Sequence, residues 1–179
     1  IFGFFGFMVV ATFVNNMTME HLKREKADAL YKEATLIANT YASDLYNNET
    51  SLDTVKKQLD ALDIYLGANL WIINPSGRMV LDSKAPVDLE TEKVISGFDP
   101  TVTASSFYTI GNFFDSFSED QLSVFAPITS DYKVQGYVVI HYPMSSLVAS
   151  CNSLLNISYL MLIILFLLSL IILIFFTEM

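Results

Sequence analysis

Asn69 to Ser83 reads NLWIINPSGRMVLDS, two short runs rich in β-formers around Asn74-Pro75-Ser76-Gly77. Proline presets φ for a turn and glycine supplies positive φ, so the stretch predicts a β-hairpin. Three further strands follow, over 105–110 (SSFYTI), 121–129 (QLSVFAPIT) and 134–142 (VQGYVVIHY). Asp131-Tyr132-Lys133 between the last two makes a second hairpin.

Upstream of the hairpin the period changes from two to between three and four. From Met17 to about Tyr46 there is no Pro or Gly, and apolar residues fall at Met19, Leu22, Ala29, Leu30, Ala34, Ile37, Ala38, Tyr41 and Leu45. That spacing predicts one long amphipathic helix. Most of its stripe is expected to pack on its own domain, while Met19, Leu22 and Leu30 are candidates for pairing with a second copy. Turn formers at 47–51 end it. Ser51 is placed to cap a second helix with Val55, Leu59, Leu62 and Ile64 on its buried face, and Gly67 stops it. A long helix, a short one and five antiparallel strands make the fold class α+β.

Apolar sequence flanks this domain on both sides. Residues 157–176 run for twenty positions without a charge, enough at about 1.5 Å per residue to cross roughly 30 Å of hydrocarbon. Residues 1–14 (IFGFFGFMVVATFV) are uncharged too, with no basic n-region before them and no A-x-A-like cleavage site after them. We read 1–14 as the end of a first transmembrane helix that begins upstream, 15–153 as one soluble domain, and 154–176 as a second transmembrane helix. The 15–153 segment holds all ten Lys+Arg and eighteen of the nineteen Asp+Glu of a chain with net charge −9. An acidic domain excludes nucleic acid as a partner, and 53% apolar content excludes a disordered segment. Lys23, Arg24 and Lys26 beside the first span would favour the cytoplasm, but the positive-inside rule is weak for loops beyond about 60 residues. The architecture favours an outward-facing domain.

A membrane-anchored long helix, a second helix, the WIINPSGRMVLDS hairpin, a variable middle, and two long strands leading into a second span resemble the extracytoplasmic Cache (PAS-like) sensor domain of bacterial sensor histidine kinases. The resemblance covers essentially the whole chain, and the hairpin is its most specific element. It implies a homodimer paired through the N-terminal helices, in the bacterial inner membrane and multi-pass. It also implies a small-molecule or cation signal bound between the sheet and its covering loops, and motion passed from the last strand to the second span. A two-component histidine kinase, acting on a response regulator, would then lie in cytoplasmic sequence beyond this stretch. Chemoreceptors and cyclic-dinucleotide enzymes carry the same domain. A docking subunit of a membrane complex is the reading from another class.

The candidate ligand residues are Trp71 and Arg78 of the hairpin, with Phe107, Tyr108, Phe113, Phe114 and Phe117 of the middle segment. Five aromatics within eleven residues can line a concave apolar site, although the commoner role of such a cluster is core beneath a loop. Arg78 can grip a carboxylate bidentately, or simply be solvated. Asp82, Asp88, Glu90, Glu92, Asp115, Glu119 and Asp120 lack EF-hand spacing and read as a solvated face. The tyrosine, tryptophan, arginine and aspartate pattern of amino-acid-binding double Cache domains is missing. His21 and His141 lie far apart, and Cys151 has no base nearby in sequence. No catalytic residue, metal or cofactor is expected. Pro143 should end the last strand, and Met144, Leu147, Val148 and Leu154 predict a short helix merging with the second span.

Overall fold

The computed structural model describes residues 2–47, 49–87, 93–103, 107–130 and 132–178. Asn48, Asp88, Glu90, Glu92, Asp131 and the first part of the strand expected over 105–110 lie outside them. Helix α1 (Phe2–Ile37) runs into a π-helical turn (Ala38–Ala42) and a short α2 (Ser43–Tyr46), so the apolar N-terminal run and the amphipathic stretch form one continuous helical element. Helix α3 (Leu52–Leu66) follows, then β1 (Asn69–Ile73), β2 (Met79–Asp82), β3 (Tyr108–Gly111), β4 (Gln121–Ser130), β5 (Lys133–Pro143) and α4 (Met144–Glu178). The strands form one antiparallel sheet in the order β2-β1-β5-β4-β3. Two compact units emerge, Lys23–Met144, and Ile1–Leu22 with Ser145–Met179.

Local chemistry explains the element ends. Ser51 caps α3 by accepting from the Thr54 N–H at 3.3 Å, and Gly67 closes it at φ +61. Val55 and Leu59 are buried, but Ile64 is exposed, correcting its placement on the inner face. Nine residues beyond Val55 amount to two and a half turns, which carry a side chain to the opposite side. In the hairpin, Asn74 Oδ1 accepts from the N–H groups of Ser76 and Arg78, and the Asn74 N–H donates to the Arg78 carbonyl at 2.9 Å. Gly77 has φ +85, and a Cβ there would stand 2.8 Å from that of Phe98, so both backbone and space require glycine. The hairpin's closing serine ties β2 to α3: Ser83 Oγ lies 2.8 Å from Asp63 Oδ2 and accepts from the Leu70 N–H.

Alternation divides the sheet into two faces. Leu70, Ile72, Leu122, Val124, Val138 and Ile140 are buried on the face packed against the helices, with Ala27, Leu30, Ala34, Ile37, Val55 and Leu59. Ala27, not the exposed Ala29, belongs to this stripe. Leu30 is 1% exposed and belongs to the domain's own core, so of the three candidate pairing residues only Met19 and Leu22 retain partly exposed surface. Gly136 of β5 lets Tyr46 approach this face, since a Cβ there would meet the Ile73 carbonyl oxygen at 2.7 Å and the Tyr46 hydroxyl at 2.9 Å.

Helix α4 follows β5 with no intervening loop, as Pro143 closes the strand and Met144 opens the helix. The Met144 N–H donates to the Asp120 carbonyl, pinning the junction to the start of β4. The buried stripe of the first turns is Leu147, Cys151 and Leu155, spaced by four, while Val148 and Leu154 face outward. Among the described residues this is the one helix long and apolar enough to cross a membrane. Ser158 and Thr177 return their hydroxyl protons to Leu154 and Leu173 carbonyls, so these polar groups are satisfied within the helix.

Candidate functional site

The sheet face away from the helices carries the chain's densest aromatic cluster. Period-two alternation brings Trp71 and Ile73 of β1, Ser123 and Phe125 of β4, and Tyr137, Val139 and His141 of β5 to this face, where register sets Trp71 beside Val139 and His141 beside Ser123. Two loop pieces cover it. Ile95 and Phe98 fold back through the Ile95 N–H to Gly77 carbonyl bond, and Phe113, Phe114 and Phe117 come from the turn after β3.

That second piece is unusual. Phe113, Phe114 and Asp115 have φ values of +48, +51 and +57, three consecutive non-glycine residues in the left-handed region. Each such residue costs roughly 1 kcal/mol. Asn112 holds the turn together, with its carbonyl accepting from the Ser116 and Phe117 N–H groups and its amide donating to Asp115 Oδ1 at 2.6 Å. The outcome is that Phe113 and Phe117 are pressed onto the sheet.

His141 sits at the centre. Its ring centroid is 4.3 Å from that of Trp71, 4.3 Å from Phe113 and 4.8 Å from Phe117. Phe117 lies nearly parallel to Trp71, at 5.1 Å and 13°. His141 Nδ1 and Ser123 Oγ are 2.7 Å apart, while His141 Nε2 and Trp71 Nε1 have no hydrogen-bond partner among the described residues. Burial pushes the His141 pKa down to about 3, so the imidazole is neutral at ordinary pH. Lys93 brings a positive charge beside this cluster, with its Nζ 5.2 Å over the Trp71 ring. Lys93 also borders a groove of about 120 Å³ along β2, lined by Val80, Asp82 and Pro86.

The structure therefore divides the candidate residues. Trp71, Phe113, Phe114 and Phe117 belong to this cluster. Tyr108 pairs with Val124 and so faces the helices, and Phe107 meets Tyr108 edge-on and lies tilted against Tyr31 of α1. Arg78 is exposed at the turn end of the hairpin, bridged to Val94. No group of three or more metal-ligating side chains occurs among the described residues. Sequence reasoning passed over Ser123, Phe98, Phe125 and Tyr137 and gave His141 no role. The period of β5, which puts His141 with Val139, was the available signal.

No family model matches the chain, and no curated protein matches it in sequence. Solved structures do match in fold. The extracellular domain of vpHK1S-Z8, described as a histidine kinase, aligns over 79% of this chain and 61% of its own, at 13% identity and TM-score 0.57. The sensor domain of the Vibrio cholerae histidine kinase DctB aligns over 79% and 59%, at 12% identity and TM-score 0.51. The chain shares its fold with these two domains. A domain of a Vibrio parahaemolyticus protein described as sensory box/GGDEF aligns over 75% and 62%, at 14% and TM-score 0.53. The chain spans about three fifths of the length of these sensor structures.

Proposed function

We propose that this chain is the signal-sensing and signal-transmitting part of a bacterial membrane receptor, with its sheet domain outside the inner membrane and a histidine kinase as its output. The observation that carries this reading is the junction at Pro143. His141 sits in the aromatic site two residues before the strand ends, and the apolar helix α4 starts at the next residue after Pro143. A change around His141 thus has no flexible linker in which to dissipate before it reaches a helix suited to the bilayer. Likeness to the DctB and vpHK1S-Z8 domains supports the histidine-kinase output, and likeness to the sensory box/GGDEF protein supports a different output as the second reading.

Such a receptor works as a homodimer, and Met19 and Leu22 are the residues we assign to its interface. In bilayers and a Cys151→Ala background, single cysteines placed along residues 17–26 should crosslink between copies with a period of three to four, peaking at positions 19 and 22. Uniform crosslinking, or none, would overturn the paired receptor.

A further inference from the structure

Resting on the sensing reading, we propose that the Trp71–His141 site takes a flat aromatic molecule that carries a hydrogen-bonding group and no positive charge, and that replaces the ring of Phe117. Three observations lead there. The first is shape, because the chain itself lays a six-membered ring on Trp71, in a slot closed by Phe113 and His141. A planar aromatic ligand would keep that stacking.

The second is polarity. Trp71 and His141 are 2% and 0% exposed, yet Trp71 Nε1 and His141 Nε2 make no hydrogen bond among the described residues. Leaving such atoms unpaired is unfavourable, and Phe117, a hydrocarbon ring, can relieve neither. With ring centroids 4.3 Å apart, the two residues are within reach of one small molecule. Its oxygen would accept from the Trp71 N–H. Its own N–H would donate to His141 Nε2 when the imidazole proton is on Nδ1, facing Ser123. Trp71, Phe113, Phe117 and Ser123 carry no charge and Lys93 over the Trp71 ring is cationic, so a positively charged ligand would be desolvated with no opposite charge beside it.

The third is the means of entry. The turn that delivers Phe117 holds Phe113, Phe114 and Asp115 at positive φ, and relaxing it offsets part of what displacement costs.

Trp71 is the only tryptophan in the chain, so its fluorescence reads the site directly in the full chain. Benzamide supplies a ring, an acceptor and a donor; toluene supplies only the ring. Benzamide should alter the fluorescence saturably, binding at least about tenfold more tightly than toluene. Phe117→Leu removes the internal competitor and should tighten benzamide binding by about tenfold. Equal affinity for the two probes would overturn the polar part of the proposal, and absence of a benzamide response in the unsubstituted chain would overturn the whole of it. The crosslinking at positions 19 and 22 separates the two levels of inference: if it holds while benzamide leaves Trp71 fluorescence unchanged, the aromatic class is wrong and the receptor reading stands; if both fail, both are contradicted.

Discussion

Lowering the pH from about 6.5 to about 5 is expected to remove about 2 kcal/mol of folding stability through His141 alone. The folded protein holds this imidazole neutral, with a pKa of about 3 against an ordinary 6.5. The unfolded chain therefore binds a proton below pH 6.5 that the folded chain refuses. Stability from this residue is complete above 6.5 and declines as the pH falls, until the folded pKa is reached. Trp71, Phe113, Phe117 and Ser123 surround the ring, and none can neutralise an imidazolium. Urea unfolding followed by Trp71 fluorescence across this pH range measures the slope. The double substitution His141→Leu with Ser123→Ala, which removes both hydrogen-bonding partners together, should abolish most of it. A slope unchanged by that substitution would assign the acid sensitivity to other groups.

Trp71→Ala should be the most damaging single truncation, lowering stability by about 3–5 kcal/mol. The indole is 2% exposed and meets His141, Phe113 and Phe117, so its loss strips packing from three rings at once. Trp71→Phe should be far milder, on the order of 1 kcal/mol, because the smaller ring leaves a void but also removes an Nε1–H that has no hydrogen-bond partner among the described residues. Because both variants lack tryptophan, far-ultraviolet circular dichroism in urea provides the comparison. Equal losses would mean that Nε1 carries no penalty, contradicting its role as a donor awaiting a ligand.

Legibility in the sequence followed the range of the interactions. The Asn74–Gly77 turn, the Ser51 cap and the Gly67 stop were readable because each is decided within four or five residues. The five strands were readable from alternation, although β3 begins at Tyr108 in the described residues. Helix faces were less so. Ile64 was misplaced because the eye extends a stripe where the helix has rotated away, and the α4 stripe proved to be Leu147, Cys151 and Leu155. The aromatic site was half legible. Five aromatics close in sequence suggested one cluster, but β3 pairing sends Tyr108 to the helical face, while the left-handed turn sends Phe113 and Phe117 to the other. Asp115 belongs to a residue type that tolerates positive φ, but nothing in Phe113 or Phe114 favours it, and there tertiary packing imposes it.

The central claim is that a change at the aromatic site moves α4 through β5 without a linker. Spin labels at Met17 of α1 and Val148 of α4, both exposed, report the separation of the two helices in bilayers. Unlabelled chains in excess suppress signals between copies. Replacing Phe117 by Leu disturbs the stack on Trp71, and the account predicts a shift of roughly 1–2 Å in the label separation. Two glycines inserted between Pro143 and Met144 should erase that shift while leaving Trp71 fluorescence as in the uninserted variant. An unchanged separation in Phe117→Leu, or a shift that survives the glycine insertion, would contradict it.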